Sequence, residues 1–246
     1  MLRTRLRTRG GGGGAAAAWT PLNISGCVVW QDPLDSSVLK ADTAGTTPAT
    51  TTVQRWNNKG TYGSYFSQSS ATSSPTKNAG AINGVSTLNF DGGDSLSMSG
   101  LAGALTGDHY IIVVYRQTVV GNGRLVNFDC PGQFKLQFTT TGTVLSASHT
   151  PAFDFSNLTR AAADTNPHIG GQYGTGSAVY AFEDSFTAAS AVLQTTGTGN
   201  CFLCSDEFGT SKISADIGDV IMFNRMLTAG EITTLKSWLN SRWGFL

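Results

Sequence analysis

The feature that most constrains the fold lies near the C-terminal end, where a strand pattern is followed at once by a helix pattern. Ile217 and the run 220–223 are apolar and include β-branched residues, which predicts a buried strand. Thr228 and Glu231 have the spacing of a capping box, in which each side chain bonds the backbone amide of the other residue. Apolar residues then recur at helical spacing and predict a helix of about three turns: Ile232, Leu235, Trp238 and Leu239. We therefore expect a β-sandwich that one amphipathic helix flanks or plugs.

The rest of the chain is typical of a single all-β domain with many short strands. Its 246 residues include 30 glycines, and only 13% are charged, about half the usual share. Strand patterns recur along the chain, the clearest at 24–30, 85–90, 110–116, 123–128, 134–138 and 178–183. This spacing predicts about a dozen or more strands in two packed sheets. We expect residues 61–81 to be irregular and 91–94 to form a hairpin turn.

Residues 1–18 differ in composition from the rest, and we predict a basic, Gly/Ala-rich arm ahead of one domain at 19–246. Four arginines alternate with leucine and threonine, so in an extended conformation they all face one way: Arg3, Arg5, Arg7 and Arg9. Because the whole chain is formally neutral, the remaining residues carry a net charge of −4. We expect the arginines to dock the arm on acidic neighbouring subunits. A flexible tail and nucleic-acid binding are the weaker alternatives, and we expect no nucleic-acid partner.

Neither a membrane span nor a secretion signal is expected. The densest apolar run, 110–115, is much shorter than the roughly 18–20 residues that a spanning helix requires. Poly-Gly and poly-Ala stand where the apolar core of a signal peptide would be. We therefore expect a protein that leaves its cell by lysis or in an assembled particle.

The four cysteines are Cys27, Cys130, Cys201 and Cys204. Cys201 and Cys204 form a C-x-x-C pair, but no second pair lies at zinc-site spacing. On a strand their side chains would point to opposite faces. Buried thiols are the favoured interpretation, a disulfide is the alternative, and metal or redox chemistry is the least favoured.

Five motifs occur in an order that resembles one family. They are 29–30 (VW) with Asp32 and Asp35, 56–60 (WNNKG), 88–96 (LNFDGGDSL), 218–225 (GDVIMFNR) and 243–244 (WG). Over about residues 19–246 the chain is similar to the laminin-G-like, concanavalin-A-like jelly-roll domains of bacteriophage and prophage virion proteins. The resemblance implies an all-β, two-sheet antiparallel jelly-roll sandwich. In such proteins a short basic arm with a Gly-rich run often precedes the domain.

Some domains with this fold are glycoside hydrolases, so the resemblance brings this activity into consideration. Glycoside hydrolysis requires two carboxyl groups flanking the scissile bond. The chain has only three glutamates, Glu183, Glu207 and Glu231, and none lies in the alternating acidic motif of hydrolases with this fold. Residues 214–218 match the start of a sialidase Asp box, but its aromatic partner is missing. We therefore expect no enzyme, and a glycoside hydrolase is the least favoured alternative.

Two kinds of binding site remain. Aromatic residues in loop-like segments are candidates for glycan contact: Tyr62, Tyr65, Phe66, Phe153, Phe155 and Tyr173. Asp91 and Asp94 form a candidate weak Ca²⁺ site, as in some members of the family, because Ca²⁺ prefers oxygen ligands. A plain turn is the alternative, and no other cofactor is expected.

These observations predict a structural or accessory protein of a bacteriophage virion. Residues 1–18 would attach it to other virion subunits, as a homo-oligomer or in many copies on a symmetric particle. The jelly roll would decorate the capsid or tail, or adhere to host-surface glycan. It would be made in the bacterial cytoplasm and localised in the virion. A free carbohydrate-binding lectin is the alternative.

Overall fold

The computed structural model describes residues 18–105, 107–128, 135–139, 142–148, 156–175, 178–184, 192–193 and 199–244. Their strands are β1 (Cys27–Gln31), β2 (Leu39–Lys40), β3 (Arg55–Asn57), β4 (Tyr65–Ser67), β5 (Thr76–Ile82), β6 (Val85–Asp91), β7 (Leu96–Met98), β8 (His109–Gln117), β9 (Gly123–Phe128), β10 (Lys135–Thr139), β11 (Val144–Ser148), β12 (Ser156–Thr159), β13 (Pro167–Gly174), β14 (Ala178–Glu183), β15 (Val192–Leu193), β16 (Cys201–Leu203) and β17 (Ser214–Phe223). The α-helix is α1 (Ala229–Trp243), and short 3₁₀ helices span Pro21–Asn23, Ser36–Val38, Ala71–Ser73 and Leu101–Leu105. No helix in these ranges is long and apolar enough to cross a membrane.

The strands form two antiparallel sheets, as predicted. The first sheet has eight strands in the order β15-β14-β13-β8-β17-β6-β5, with β1 also paired to β17. The second sheet has nine strands in the order β12-β11-β10-β9-β16-β7-β4-β3-β2. In the first sheet the long strand β17 pairs with β8 on one side and with β6 and then β1 on the other.

The first sheet is apolar on both faces, which explains the continuous apolar run in its central strand β8. Ile111 and Val113 point between the sheets and belong to the main core. Tyr110 and Ile112 point the other way, into a second apolar cluster beneath α1. A strand covered on both faces has no reason to alternate between apolar and polar residues.

Helix α1 lies on the outer face of the first sheet and is capped as the sequence predicts. The Thr228 hydroxyl accepts a hydrogen bond from the Glu231 amide at 3.3 Å, and a Glu231 carboxylate oxygen accepts from the Thr228 amide at 2.9 Å. Leu235 and Leu239 are fully buried against the sheet. Gly244 ends the helix in the left-handed conformation, with φ of 73°.

A bulge in β17 receives the end of the helix. The pairing of β17 with β8 shifts register between Ile217 and Val220. Asp219, within this bulge, is fully buried and accepts hydrogen bonds from the indole groups of Trp30 (3.0 Å) and Trp243 (2.8 Å). Burial raises the pKa of this carboxyl to about 6, against the opposing effect of Arg242. The bulge therefore ties α1 to the sheet through a buried polar contact.

Two local predictions were wrong. Residues 61–81 are not simply irregular, since they include β4 and β5. Residues 91–94 do not connect the two strands of a hairpin, because β6 belongs to the first sheet and β7 to the second. The turn instead carries the chain from one sheet to the other. The predicted arm lies outside the described residues, except for Ala18.

Candidate functional site

The aromatic residues predicted to contact glycan do not come together in the structure. Phe66 is fully buried in the core between the sheets, so it is not available to a ligand in this structure. Tyr65, on β4, lies under the Arg55 guanidinium, which is 3.5 Å from the ring centroid. The Tyr62 hydroxyl donates to the Ser99 carbonyl at 3.0 Å. Phe153 and Phe155 lie outside the described residues.

Tyr173 lies apart from Tyr62 and Tyr65, on the outer face of the first sheet. Its ring stacks on Tyr110, with centroids 5.4 Å apart, and on Tyr180, with centroids 4.8 Å apart. Neighbouring rings cover both faces of Tyr173. This row of three tyrosine rings is therefore better suited to packing within the domain than to stacking on a sugar.

Asp91 and Asp94 are occupied with holding their own turn. Asp91 accepts a hydrogen bond from the Gly93 amide at 2.7 Å, and Asp94 accepts one from the Asp91 amide at 3.1 Å. Burial raises the pKa of Asp94. The one group of three or more potential metal-ligating acidic, His or Cys side chains found among the described residues lies elsewhere, so the candidate Ca²⁺ site gains no third ligand of this kind.

The thiols of Cys27, Cys201 and Cys204 are free and buried. Burial raises the pKa of Cys27 to about 12 and the pKa values of Cys201 and Cys204 well above the usual range. These thiols are therefore poor nucleophiles. Cys130 and the four arginines Arg3, Arg5, Arg7 and Arg9 lie outside the described residues.

An open, polar cleft of about 340 Å³ lies on the second sheet, where β9 begins and β10 ends. Three segments line it, 122–124, 137–139 and 210–212. The first two are brought together by the pairing of Arg124 with Gln137 on β9 and β10. The third lies beside β9 because the Arg124 amide donates to the Ser211 carbonyl at 3.1 Å. A Cβ at Gly123 would lie 2.6 Å from the Lys212 carbonyl oxygen, so glycine permits this approach.

Asp206 shapes the loop that forms one wall of the cleft. Its carboxylate accepts from the Thr210 amide and hydroxyl, both at 2.6 Å, and from the Ser211 amide at 3.1 Å. Burial alone would raise the pKa of Asp206, but these hydrogen bonds hold it well below its usual range. The carboxylate therefore stays ionised and fixes Thr210 and Ser211 at the edge of the cleft.

Arg124 supplies positive charge to the cleft and is held from behind. Its Nη1 donates to Asn127 at 2.7 Å and to Glu207 at 3.1 Å. Glu207 also accepts from the Asn127 amide group at 2.8 Å. The guanidinium is thereby restricted to one orientation, with Gln137 and Thr139 opposite it in the lining.

A buried polar network lies at the same end of the sandwich. Arg160 donates to Glu183 at 2.8 Å, and Tyr115 donates to the same carboxylate. His168 lies between two carboxylates, at 2.9 Å from Asp184 and 2.9 Å from Asp164. Tyr115 is fully buried and burial raises its pKa well above the usual value, so it is not accessible to a substrate as a nucleophile.

The potential metal ligands His168, Glu183 and Asp184 belong to this network. Burial alone would lower the pKa of His168, but its bonds to Asp184 and Asp164 raise it. A protonated ring with a carboxylate at each nitrogen has no lone pair for a metal. The arrangement therefore fits a structural network better than a metal site.

The residues that match the start of an Asp box are structural as well. Asp216, on β17, is buried and accepts from Asn78 at 2.8 Å, Asn89 at 3.0 Å and Arg116 at 2.5 Å. These contacts join β5, β6, β8 and β17, which supports the structural interpretation of this motif.

The comparisons with known proteins identify the fold. No protein-family model and no curated protein matches the chain. A Trypanosoma rangeli sialidase in complex with 2,3-difluoro-KDN aligns with a TM-score of 0.57 and 14% identity, over 95% of this chain and 35% of the sialidase chain. The binding domain of botulinum neurotoxin DC in complex with SialylT aligns with a TM-score of 0.52 and 9% identity, over 87% of this chain and 52% of that one. The fold is an antiparallel β-sandwich.

A third solved structure is related in the same way. It belongs to a study of botulinum neurotoxin type C, whose cell entry depends upon interaction with two ganglioside molecules. It aligns with a TM-score of 0.52 and 7% identity, over 87% of this chain and 51% of that one. The chain thus spans about a third of the length of the sialidase and about half of the toxin chains.

These similarities overturn the expectation that the protein is not an enzyme. That expectation rested on the missing carboxylate motif, but solved structures that share the fold include sialidases, which are enzymes. At these identities the likeness concerns the fold alone. The fold occurs both in chains of enzymes and in toxin binding domains, so it does not separate the two classes.

The sequence analysis did not predict the cleft, because its lining comes from three separate segments of ordinary composition. One signal was present in β10, where Lys135, Gln137 and Thr139 alternate with apolar residues. Such alternation predicts that polar side chains face outward on one side of the strand. It does not predict that the 210–212 segment lies against the same surface.

Proposed function

We propose that this chain is a glycan-binding domain and that it binds its ligand in the cleft between 122–124, 137–139 and 210–212. The observation that carries the proposal is the lining itself. It combines amide and hydroxyl side chains with two cationic groups on an antiparallel β-sandwich: Asn122, Gln137, Thr139, Thr210, Ser211, Arg124 and Lys212. Sugar hydroxyl groups both donate and accept hydrogen bonds, and a few well-placed polar groups of these kinds fix a ligand's orientation.

An exposed aromatic residue beside the cleft supports the same function. Phe208 is 79% exposed and lies two residues before Thr210 in the loop that Asp206 holds. Single exposed apolar side chains are common on protein surfaces, so the support comes from the position of Phe208 next to the loop that lines the cleft. The C–H face of a sugar ring packs well on an aromatic ring, so Phe208 would extend the binding surface beyond the cleft.

We also propose that the domain is carried on a bacteriophage particle. The support is the ordered set of family motifs and the basic arm at residues 1–18. In this setting the arm attaches the chain to other virion subunits, as a homo-oligomer or in many copies. The domain then adheres to glycan on the host surface. A free lectin is the alternative, and the relation of the fold to glycan-binding toxin domains is equally compatible with it.

The glycan-binding proposal is tested by screening the full chain on a glycan array and measuring affinities for the glycans it retains. Gln137→Ala and Phe208→Ala are expected to weaken binding by about fivefold each, while Tyr65→Ala and Tyr173→Ala leave it unchanged. Retention by the cleft variants together with loss in a tyrosine variant would assign the site to the aromatic residues instead. The same incubations are analysed for released sugar, because the fold also occurs in sialidases.

The particle proposal needs a separate experiment. Particles carrying the full chain or a form without residues 1–18 are purified and analysed by quantitative mass spectrometry. We expect stoichiometric incorporation of the full chain and loss of the shortened form. If neither form associates with particles, the particle proposal is overturned and the free lectin remains as the alternative.

A further inference from the structure

The charges around the cleft are unevenly distributed. Arg124 and Lys212 line it, and none of the lining residues in the described part of the chain is acidic. We propose that the cleft selects acidic glycans, and that Arg124 and Lys212 together bind the carboxylate of the sugar. This inference rests on the proposed glycan-binding function and names the class of glycan.

One nitrogen of the Arg124 guanidinium, Nη2, makes no hydrogen bond within the described residues. Both hydrogen bonds of its side chain use Nη1, and Nη2 lies 3.9 Å from Asp206, beyond hydrogen-bond distance. Nε is buried and has no hydrogen-bond partner. A ligand carboxylate would therefore bind at Nη2, which carries two N–H donors, and not at the buried Nε.

Lys212 provides the second cation. Its Nζ donates a hydrogen bond to the Gly93 carbonyl, in the turn that links β6 to β7. An ammonium group has three protons, so this contact holds the charge in place and leaves two donors. Gly93 is thus a positioning contact for Lys212, which gives the turn between Asp91 and Asp94 a role other than metal binding.

Two nearby carboxylates pair with Arg124 and offset part of its charge, Glu207 at 3.1 Å and Asp206 at 3.9 Å. The oxygens of Asp206 already accept from Thr210 and Ser211, and Glu207 accepts from Asn127 and Arg124 behind the cleft. Lys135, on the same strand as Gln137, is close to these groups. Burial and then Arg124 lower its pKa to about 8, whereas Glu207 and Asp206 raise it. The preference for an anion therefore rests on Arg124 and Lys212, the two cationic residues in the lining.

The experiment uses pairs of glycans that differ only in the acidic group. One pair is 3′-sialyllactose and lactose, and the other is an oligogalacturonate and its methyl ester. The two pairs separate the two sources of a sugar carboxylate, a nonulosonic acid and a uronic acid. We expect the full chain to bind at least one acidic member about tenfold more tightly than its neutral partner, with the difference shrinking at high salt.

Four variants assign this preference to the cleft. Arg124→Gln and Lys212→Gln are expected to weaken binding of the acidic glycan by about tenfold and about threefold, and to leave the neutral partner unaffected. Glu207→Gln is expected to tighten binding of the acidic glycan by about threefold, because this substitution removes the negative charge that competes for Arg124. Lys236→Gln, on α1 at the other side of the sandwich, removes the same charge as Lys212→Gln and serves as the control. Unfolding curves confirm that each variant folds.

The outcomes separate this inference from the function on which it rests. Binding of neutral and acidic members with equal affinity would keep the glycan-binding function and overturn the acidic preference. An acidic preference that Lys236→Gln reduces as much as Lys212→Gln would make it a property of the whole surface, which also overturns the inference. Binding of sulfated sugars but not of sugar carboxylates would overturn the assignment of a carboxylate as the ligand of Arg124 and Lys212. No binding to any glycan would overturn both proposals.

Discussion

At Gly218 the closing strand and the helix approach each other so closely that no side chain fits between them. A Cβ there would lie 2.8 Å from the Trp243 ring and 2.9 Å from Val114. Gly218→Ala is therefore expected to displace α1 and lower the free energy of unfolding by about 2 kcal/mol. Urea denaturation measures this change.

Gly103 provides a matched control for this substitution. A Cβ at Gly103 would have no heavy atom within 4 Å. Gly103→Ala should therefore change stability by less than about 1 kcal/mol. Equal effects of the two substitutions would show that the contact with Trp243 is unimportant.

His168 makes the stability of the fold depend on pH. Its pKa in the folded state is raised above the ordinary value of 6.5 by Asp184 and Asp164, which outweigh the effect of burial. The stabilisation is thus fully present below pH 6.5 and is lost as the pH rises through the raised pKa. His168→Gln should lower the free energy of unfolding by about 1–2 kcal/mol at about pH 6 and by less at about pH 9.

Denaturation of both forms at the two pH values tests this expectation. The charged groups around the ring also include Arg160 and Glu183, which form an ion pair with each other. Asn166→Ala, in the neighbouring loop, is the control and should have the same effect at both pH values. If His168→Gln lowers the free energy of unfolding by the same amount at both pH values, the ring is neutral in the folded protein.

At the scale of a single element, the start of α1 depends on an ionised glutamate. Hydrogen bonds from Arg225, and then from Thr228, lower the pKa of Glu231 to about 2 against a small opposing effect of burial. Its stabilisation is present above pH 4.5 and is lost as the pH falls towards 2. Glu231→Gln should lower the free energy of unfolding by about 1 kcal/mol at about pH 7, and by less at about pH 3.

Thr233→Ala is the control for this effect in the same helix. Thr233 is exposed and its hydroxyl bonds only within the helix, to the Ala229 carbonyl at 2.9 Å. Its replacement should alter stability by less than about 0.5 kcal/mol at either pH. Thermal or urea unfolding of the three proteins at both pH values decides the comparison.

The elements differ in how far the sequence predicts them, for physical reasons. Helix α1 was predictable because Thr228, Glu231 and its apolar stripe are local signals. Strand β8 was predictable because a run buried on both faces is apolar throughout. Strand β5, with its residues 77–81 polar or small, carries no such signal and forms because it pairs with β6. The cleft depends on similar long-range pairing, which places 210–212 beside β9, and local patterns do not record that contact.

For the whole molecule, we expect the fold to be retained without residues 1–17, because the two described apolar clusters are built from residues between 19 and 243. Trp19 packs on Trp238, with ring centroids 5.9 Å apart, and is the first large side chain in the described part of the chain. Deletion of residues 1–17 should therefore leave the urea midpoint unchanged within error. Trp19→Ala should lower the free energy of unfolding by about 1–2 kcal/mol, since it uncovers part of Trp238.

A midpoint that falls on deletion of residues 1–17 would show that the arm packs on the domain. Trp19→Ala in the full chain calibrates the size of such an effect. The same shortened protein serves in the particle experiment, so a failure to incorporate can be separated from a failure to fold.

The contact between Trp19 and Trp238 also places the first described residues on one side of the domain. It lies with α1 on the outer face of the first sheet, whereas the cleft lies on the second sheet. A domain held close to Trp19 would therefore present the cleft on the side away from its support. Many copies arranged in this way would meet an opposing surface together, and the effective concentration of each site would rise once the first had engaged. Firm attachment would then require only weak affinity at each cleft.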